Sequence, residues 1–142
     1  MSGAANARLR VAVIGATGRG GYGHGLDTAF QGDDGARLVA VADTDPGGLA
    51  KAGKRLGVDR LYRDFRRMLS TEKPDIVCVG PRWLTERVAM VVAAAEAGCH
   101  IYCEKPFAAD LLSADRMAAA CAATGVRLAM AHQWRAIPPV AR

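Results

Sequence analysis

Short apolar runs recur along the chain, separated by segments in which apolar and polar residues mix. Five of these runs consist mainly of Val, Ile, Leu, Ala and Cys without polar alternation: residues 9–14, 38–42, 76–79, 100–103 and 126–131. Strands that are buried on both faces have this continuous apolar character. Because helix-like segments lie between the runs, the pattern predicts an α/β fold, a doubly wound parallel sheet with helices on both faces.

Helix boundaries are predicted from pairs of a polar N-cap residue and a closing glycine. Asp45, which precedes Pro46, is paired with Gly57, Thr85 with Gly98, and Ser113 with Gly125. The basic stretch at residues 60–67 mixes arginines with apolar residues, which favours the solvated side of a further short helix.

Composition bounds the class of protein. The chain has 142 residues, 51% of them hydrophobic and 23% charged, which is typical of one globular domain. No apolar run approaches the ~20 residues of a membrane helix. The first ten residues lack the apolar stretch of a signal peptide, so we expect a cytoplasmic protein without a membrane partner.

The positions of the four cysteines and of the basic residues argue against disulfide bonds, a metal site and a nucleic-acid site. The cysteines lie in apolar segments and are expected to be core thiols, not disulfides. Cys99 and Cys103 flank a predicted strand without a second ligand pair, so no metal site is expected. The net charge of +5 suits phosphate binding, but the basic stretch has neither interleaved stacking aromatics nor a nucleic-acid motif. No nucleic-acid partner is expected.

A glycine-rich loop follows the first predicted strand directly. Such a loop permits positive φ and lets backbone N–H groups, with the N-terminus of a following helix, approach a pyrophosphate. The candidate contacts are Gly15, Thr17, Gly18, Arg19, Gly20 and Gly21. The glycine motif can be aligned in three registers. The first starts at Gly15 and places Thr17 at the second glycine position and Gly20 at the third. The second uses Gly18, Gly20 and Gly23, and the third uses Gly15, Gly18 and Gly21. The role of each glycine stays open.

Asp43 follows the second predicted strand, 23 residues beyond Gly20. An acid at this point binds the adenosine ribose hydroxyls in NAD-binding domains and repels the additional phosphate of NADP. The alternative role, capping the next helix, suits Asp45 better. The sequence therefore predicts a Rossmann domain that binds NAD, with NADP possible.

Residues 98–106 read Gly-Cys-His-Ile-Tyr-Cys-Glu-Lys-Pro, at the end of the fourth predicted strand. This segment resembles the Gfo/Idh/MocA oxidoreductases, which include glucose–fructose oxidoreductase and inositol dehydrogenase. The resemblance extends from the Gly15 loop through Asp43 and Pro81 to the last predicted strand. Its most specific element is the tripeptide Glu104-Lys105-Pro106.

The resemblance implies roles for several residues. Lys105 is expected to be catalytic, contacting the substrate hydroxyl and the nicotinamide ribose, beside Glu104 and a cis peptide at the proline. Pro81 is expected to contact the cofactor through its backbone, although Arg82 departs from the family pattern. Trp134 and Arg135 are placed near the nicotinamide; for Trp134, packing against a second domain is an equal alternative.

The predicted function is that of the nucleotide-binding domain of an oxidoreductase that transfers a hydride from a sugar or polyol. Residues 1–135 are expected to form this domain, and residues 136–142 to begin a linker to a second, substrate-binding domain. Family members draw a catalytic histidine from that domain, so the chain alone is expected to be inactive. Trp134, Ile137 and Val140 are expected to promote self-association.

The sequence offers two alternatives to this function. One is a non-catalytic module that binds or senses NAD(H). The other is a short-chain-dehydrogenase-like protein, which fails because no tyrosine is followed by a lysine four residues later.

Overall fold

Six short strands and four α-helices make up the computed structural model, which describes residues 7–136. The strands are β1 (Leu9–Ile14), β2 (Ala36–Ala42), β3 (Leu61–Tyr62), β4 (Ile76–Val79), β5 (His100–Cys103) and β6 (Leu128–Met130). The helices are α1 (Pro46–Leu56), α2 (Phe65–Glu72), α3 (Arg87–Glu96) and α4 (Leu111–Thr124), and a 3-10 helix at Gln133–Ala136 follows β6.

All six strands are parallel and lie in the order β3-β2-β1-β4-β5-β6. The predicted doubly wound Rossmann fold is therefore confirmed. The direction of winding reverses between β1 and β4, so the loops after these two strands leave the sheet toward opposite sides. Ligands of open α/β sheets bind at such a switch point, outside the carboxyl ends of the strands.

The sheet is buried on both faces by alternating side chains. Val11 and Cys78 face a layer that includes Leu26, whereas the neighbouring Ala12 and Val77 face α2, α3 and α4. All four cysteines are free and buried, which confirms the prediction of core thiols.

The strand β3 was missed, and the prediction of one short helix over residues 60–67 is wrong in its first half. Tyr62 pairs with Ala42 at the edge of the sheet, and a helix begins only at Phe65. Leu61 and Tyr62 lie between two arginines, and a run of two residues is too short to predict a strand. Their position is determined by the buried Glu72, whose carboxylate accepts hydrogen bonds from Arg60 and Tyr62.

Two other strand boundaries differ from the prediction. β2 begins at Ala36, not at residue 38, and β6 covers only Leu128–Met130 within the predicted run 126–131. As an edge strand, β6 pairs only with β5, which limits its length to the residues opposite that strand.

Several predicted helix ends are confirmed. Asp45 caps α1, its carboxylate accepting a hydrogen bond from the N–H of Gly48. Gly57 and Gly125 are the C-cap residues of α1 and α4, with φ of 67° and 71°. Gly98, with φ of 77°, lies just beyond the end of α3. Glycine adopts this left-handed conformation without the Cβ clash of other residues.

Two predicted N-caps are wrong. α3 begins at Arg87, with Glu86 rather than Thr85 at the N-cap and without a side-chain capping bond. α4 is capped by Asp110, and Ser113 lies inside the first turn, where its N–H donates to Asp110 at 2.7 Å. An aspartate three residues earlier supplies the acceptor that the N-terminal N–H groups need.

The helix expected after the glycine-rich loop is also absent, since residues 22–32 form successive turns. Glycines with positive φ are spread through the loop and these turns: Gly18, Gly20, Gly21, Gly23, Gly25 and Gly32. Left-handed residues interrupt a right-handed helix, and each glycine further weakens one by about 1 kcal/mol. Within residues 7–136, no helix is long and apolar enough to cross a membrane.

Candidate functional site

The predicted site residues follow the carboxyl ends of neighbouring strands. Gly15 follows β1, Asp43 follows β2, Pro81 lies two residues beyond β4 and Glu104 follows β5. Because the strands are parallel, all four residues lie along one edge of the sheet. Along this edge the predicted residues form two groups, one around Asp43 and the glycine-rich loop and the other around Lys105.

Asp43 is 2% exposed, and its carboxylate is fully hydrogen-bonded within the chain. Oδ2 accepts from the backbone N–H of Thr17 at 3.0 Å, the Thr17 hydroxyl at 2.7 Å and the Tyr22 hydroxyl at 2.8 Å. Oδ1 accepts from the N–H of Asp45 at 3.0 Å and also receives the N–H of Thr17 at 3.3 Å. Four donors therefore occupy the roughly four lone-pair positions that a carboxylate offers.

Tyr22 is a site residue that the sequence did not reveal. Its ring packs on Gly15 so closely that a Cβ there would overlap the ring, which explains the need for glycine. Arg55 lies over the ring at 5.5 Å from its centroid and forms an ion pair with the buried Asp27. Burial and the hydrogen bond to Asp43 raise the pKa of Tyr22, so its hydroxyl remains a donor.

The glycines of the loop divide into two sets. Three are fitted to the protein itself: a Cβ on Gly15 would overlap Tyr22, one on Gly20 would overlap the backbone of Arg82, and one on Gly23 would overlap Glu104. The contacts of Gly20 and Gly23 fix the loop against the residues that follow β4 and β5.

Gly18 and Gly21 form the second set. Both have positive φ, and nothing lies within 4 Å of a Cβ built on either residue. Within the described part of the chain, the N–H of Gly18 has no acceptor, and neither has that of Gly20. Thr17 and Arg19 are exposed on the same loop. Open space beside available N–H groups fits a pyrophosphate, which needs donors and no intervening side chains.

A cleft lies between the ends of β1, β2 and the start of α3. Its walls include Asp43, Thr44 and Arg63, and apolar surface is supplied by Phe65 and Met90. The sequence did not predict these neighbours, because α2 and α3 bring them to Asp43 from distant parts of the chain. Apolar side chains beside polar groups suit a nucleotide base.

The second group lines a cavity of about 610 Å³ at the carboxyl ends of β5 and β6. Its lining residues are His24, Lys105, Pro106, Ala131, His132, Gln133, Trp134 and Arg135. The structure thus brings Lys105 together with Trp134 and Arg135, as expected from the resemblance. Lys105 is exposed, and Trp134 is 68% exposed. This volume lies within the range of small-molecule pockets.

Glu104 is completely buried beside this cavity. Its Oε2 accepts from the backbone N–H of His24 at 2.6 Å and lies 3.1 Å from the Nδ1 of the same residue. Its Oε1 accepts from the N–H of Lys105 at 2.9 Å. The carboxylate therefore fixes both His24 and the turn that carries Lys105, and its own contact with a cofactor stays a prediction.

Arg87 is a second residue that the sequence did not reveal. It is 1% exposed, and its guanidinium donates to the carbonyl oxygens of Glu104 at 2.5 Å and Pro106 at 2.7 Å, and also to that of Pro81. The Lys105–Pro106 peptide between these acceptors is cis, as the resemblance implied. Arg87 thereby joins the loop after β4 to the turn after β5.

Comparisons with known proteins agree with this fold. The model of the Gfo/Idh/MocA oxidoreductase family with an NAD-binding Rossmann fold matches residues 9–132. D-apiose dehydrogenase of Paraburkholderia graminis is 40% identical over 112 residues, which are 79% of this chain and 30% of that protein. Myo-inositol 2-dehydrogenase of Thermotoga maritima is 33% identical over 109 residues, 77% of this chain and 31% of that protein.

A solved structure extends the similarity to a cofactor complex. An oxidoreductase from Agrobacterium radiobacter in complex with NAD+, L-tartaric acid and magnesium superimposes with a TM-score of 0.77. It is 26% identical, and the match covers 89% of this chain and 36% of that one. The chain thus spans about a third of the length of the relatives it matches.

These relatives do not favour the alternative of a non-catalytic sensing module. The matched segment includes the glycine-rich loop, Asp43 and the Glu104-Lys105-Pro106 turn. The chain therefore belongs to the Gfo/Idh/MocA oxidoreductase family and contains its NAD-binding Rossmann domain.

Proposed function

We propose that this domain serves an NAD-dependent dehydrogenase that oxidises a CH–OH group of a sugar or polyol, with Asp43 and Lys105 at the two ends of the cofactor. The relatives named for D-apiose and myo-inositol support this substrate class. The observation that carries the proposal is the position of Asp43 directly beyond β2 and of Lys105 two residues beyond β5, on either side of the switch point of the parallel sheet.

At the adenosine end, the proposed role of Asp43 is to accept hydrogen bonds from the ribose hydroxyls. An ionised carboxylate is an acceptor only, which matches hydroxyl donors and opposes the 2′-phosphate of NADP. The cleft with Phe65 and Met90 would hold the adenine, and the open positions at Gly18 and Gly21 would admit the pyrophosphate.

At the other end, the cavity around Lys105 would hold the nicotinamide and the substrate. NAD, when bound, supplies the acceptor for the hydride. Lys105 offers an ammonium group that donates hydrogen bonds to the substrate hydroxyl and stabilises the negative charge that develops on its oxygen. Arg87 and Glu104 hold the turn that presents this ammonium group, through the contacts described above.

Calorimetric titration with NAD, NADP and AMP tests the adenosine end. We expect NAD to bind in the micromolar-to-millimolar range and more tightly than NADP. Asp43→Ala should weaken NAD binding by about 1–3 kcal/mol, the scale for hydrogen bonds to a charged group, and reduce the discrimination against NADP.

Asp115→Ala is the matched control, since Asp115 is exposed on α4 and lines neither the cleft beside Asp43 nor the cavity beside Lys105. It should leave the affinity for NAD unchanged. Tighter binding of NADP than of NAD by the unaltered protein would contradict the role of Asp43.

A further inference from the structure

The hydrogen bonds around Asp43 have a consequence for NAD binding. The two oxygens of this carboxylate already accept from four donor groups of the chain, three of them at Oδ2. A ribose hydroxyl that donates to Asp43 must therefore replace one of the present donors, because a carboxylate has about four acceptor positions. The affinity for the nucleotide therefore depends on which donor is displaced.

Three of the four donors are held in place by other contacts. The N–H of Asp45 belongs to the residue that caps α1, and the N–H of Thr17 belongs to a loop closed by two hydrogen bonds between Ala16 and Gly21. The Tyr22 hydroxyl is carried by a ring packed between Gly15 and Arg55. Moving any of these groups would disturb a cap, a loop or a packed ring.

The Thr17 hydroxyl is the exception. Thr17 is exposed, and rotation about one side-chain bond removes its hydroxyl from Asp43 without moving the backbone. It donates to Oδ2 at 2.7 Å, the shortest of the hydrogen bonds to this carboxylate. It is also an alcohol donor, as a ribose hydroxyl is, so that the two groups make the same kind of bond to the same oxygen.

We propose that the Thr17 hydroxyl competes with the adenosine ribose for Asp43, so that Thr17 sets the affinity for NAD. The inference rests on the proposed role of Asp43 as the ribose acceptor. The hydrogen bond from Thr17 satisfies the buried carboxylate and must be broken when the ribose donates in its place. The free energy of that bond is subtracted from the free energy of NAD binding.

The test compares Thr17→Val with Thr17→Ser in titrations with NAD. Valine has nearly the shape of threonine but cannot donate, so Oδ2 is free to accept from the ribose. We expect Thr17→Val to lower the Kd for NAD roughly 3- to 10-fold, the range set by one net hydrogen bond. Thr17→Ser retains the hydroxyl and should therefore not show this gain in affinity.

Thermal unfolding provides a second readout that does not depend on binding alone. Without nucleotide, Thr17→Val should melt a few degrees below Thr17→Ser, because Asp43 loses a donor. Saturating NAD should raise the melting temperature of Thr17→Val more than that of Thr17→Ser. Thr71→Val, at an exposed position of α2, is the control for the substitution itself and should change neither measurement.

The outcomes separate the two proposals. If the unaltered protein binds NAD and Asp43→Ala weakens it, but Thr17→Val binds no more tightly than the unaltered protein, competition by Thr17 is wrong and the role of Asp43 stands. If Asp43→Ala leaves NAD binding unchanged, both proposals fail. Tighter binding by Tyr22→Phe but not by Thr17→Val would identify Tyr22 as the displaced donor and would also overturn the inference.

Discussion

At the scale of single residues, Arg87 is the least expected feature of the site. A cation at the first position of a helix is opposed by the helix dipole, and a buried guanidinium is costly to desolvate. Its position is explained by its acceptors, since carbonyl oxygens of Pro81, Glu104 and Pro106 all receive its N–H groups. Arg87 is thus a positioning residue for the turn that carries Lys105.

Arg87→Met tests this role, because methionine has a comparable length and cannot donate. We expect the free energy of unfolding to fall by at least about 1–3 kcal/mol, the cost of one buried acceptor left unpaired. Urea unfolding measures the change. Arg67→Met, at an exposed position of α2, is the matched control; a loss no larger than in that variant would show that the three carbonyls do not need Arg87.

At the scale of elements, the edge of the sheet depends on one buried carboxylate. Glu72, on α2, accepts hydrogen bonds from Arg10 of β1, from Arg60 and from Tyr62 of β3. Burial alone would raise the pKa of Glu72, but the hydrogen bonds from Tyr62 and Arg60, with the charges of Arg60 and Arg10, outweigh it and lower the pKa. The ionised form therefore stabilises the folded state.

This lowered pKa predicts a loss of stability in acid. The contribution of ionised Glu72 is complete above the ordinary glutamate pKa of about 4.3 and is lost as the pH falls through the lower pKa of the folded state. The destabilisation caused by Glu72→Gln should accordingly be large near pH 7 and shrink below about pH 4.

Urea unfolding of both proteins across this pH range measures the difference. Glu96→Gln, at an exposed position of α3, is the control and should show no such pH dependence. A destabilisation by Glu72→Gln that stays constant down to pH 3 would contradict the prediction.

The elements also show what the sequence could and could not reveal. Asp43 and Lys105 were predictable because each stands directly beyond an apolar run, or one residue later, and strand ends converge in a parallel sheet. Tyr22 and Arg87 were not, because their roles arise only when separate loops pack together. β3 was missed for the same reason, since its two residues owe their conformation to Glu72.

At the scale of the whole molecule, the sheet is covered unevenly. On the face opposite α4, Tyr102 of β5 is half-buried against Phe30, but Ala129 of β6 is exposed, and Trp134 is exposed beyond the strand end. The predicted contributors Ile137 and Val140 lie outside the described residues, as do residues 137–142 of the predicted linker. Exposed apolar surface of this kind promotes association.

We predict concentration-dependent self-association of this chain, measured by sedimentation velocity. Trp134→Ser should weaken it, because the substitution removes the largest exposed apolar side chain near this face. Trp83→Ser is the matched control, since Trp83 is 57% exposed but lies after β4, away from β6. A chain that stays monomeric at high concentration, or equal effects of the two substitutions, would contradict the prediction.

The contact between the glycine-rich loop and α1 has an evolutionary consequence. Gly48 lies so close to Thr17 that a Cβ at position 48 would overlap the threonine side chain, although its helical backbone would accept alanine. The two positions should therefore covary across the family: where position 48 carries a side chain, position 17 should be glycine or point away from the acid. Selection would then change the nucleotide affinity of a relative through a helix residue that acts by way of position 17.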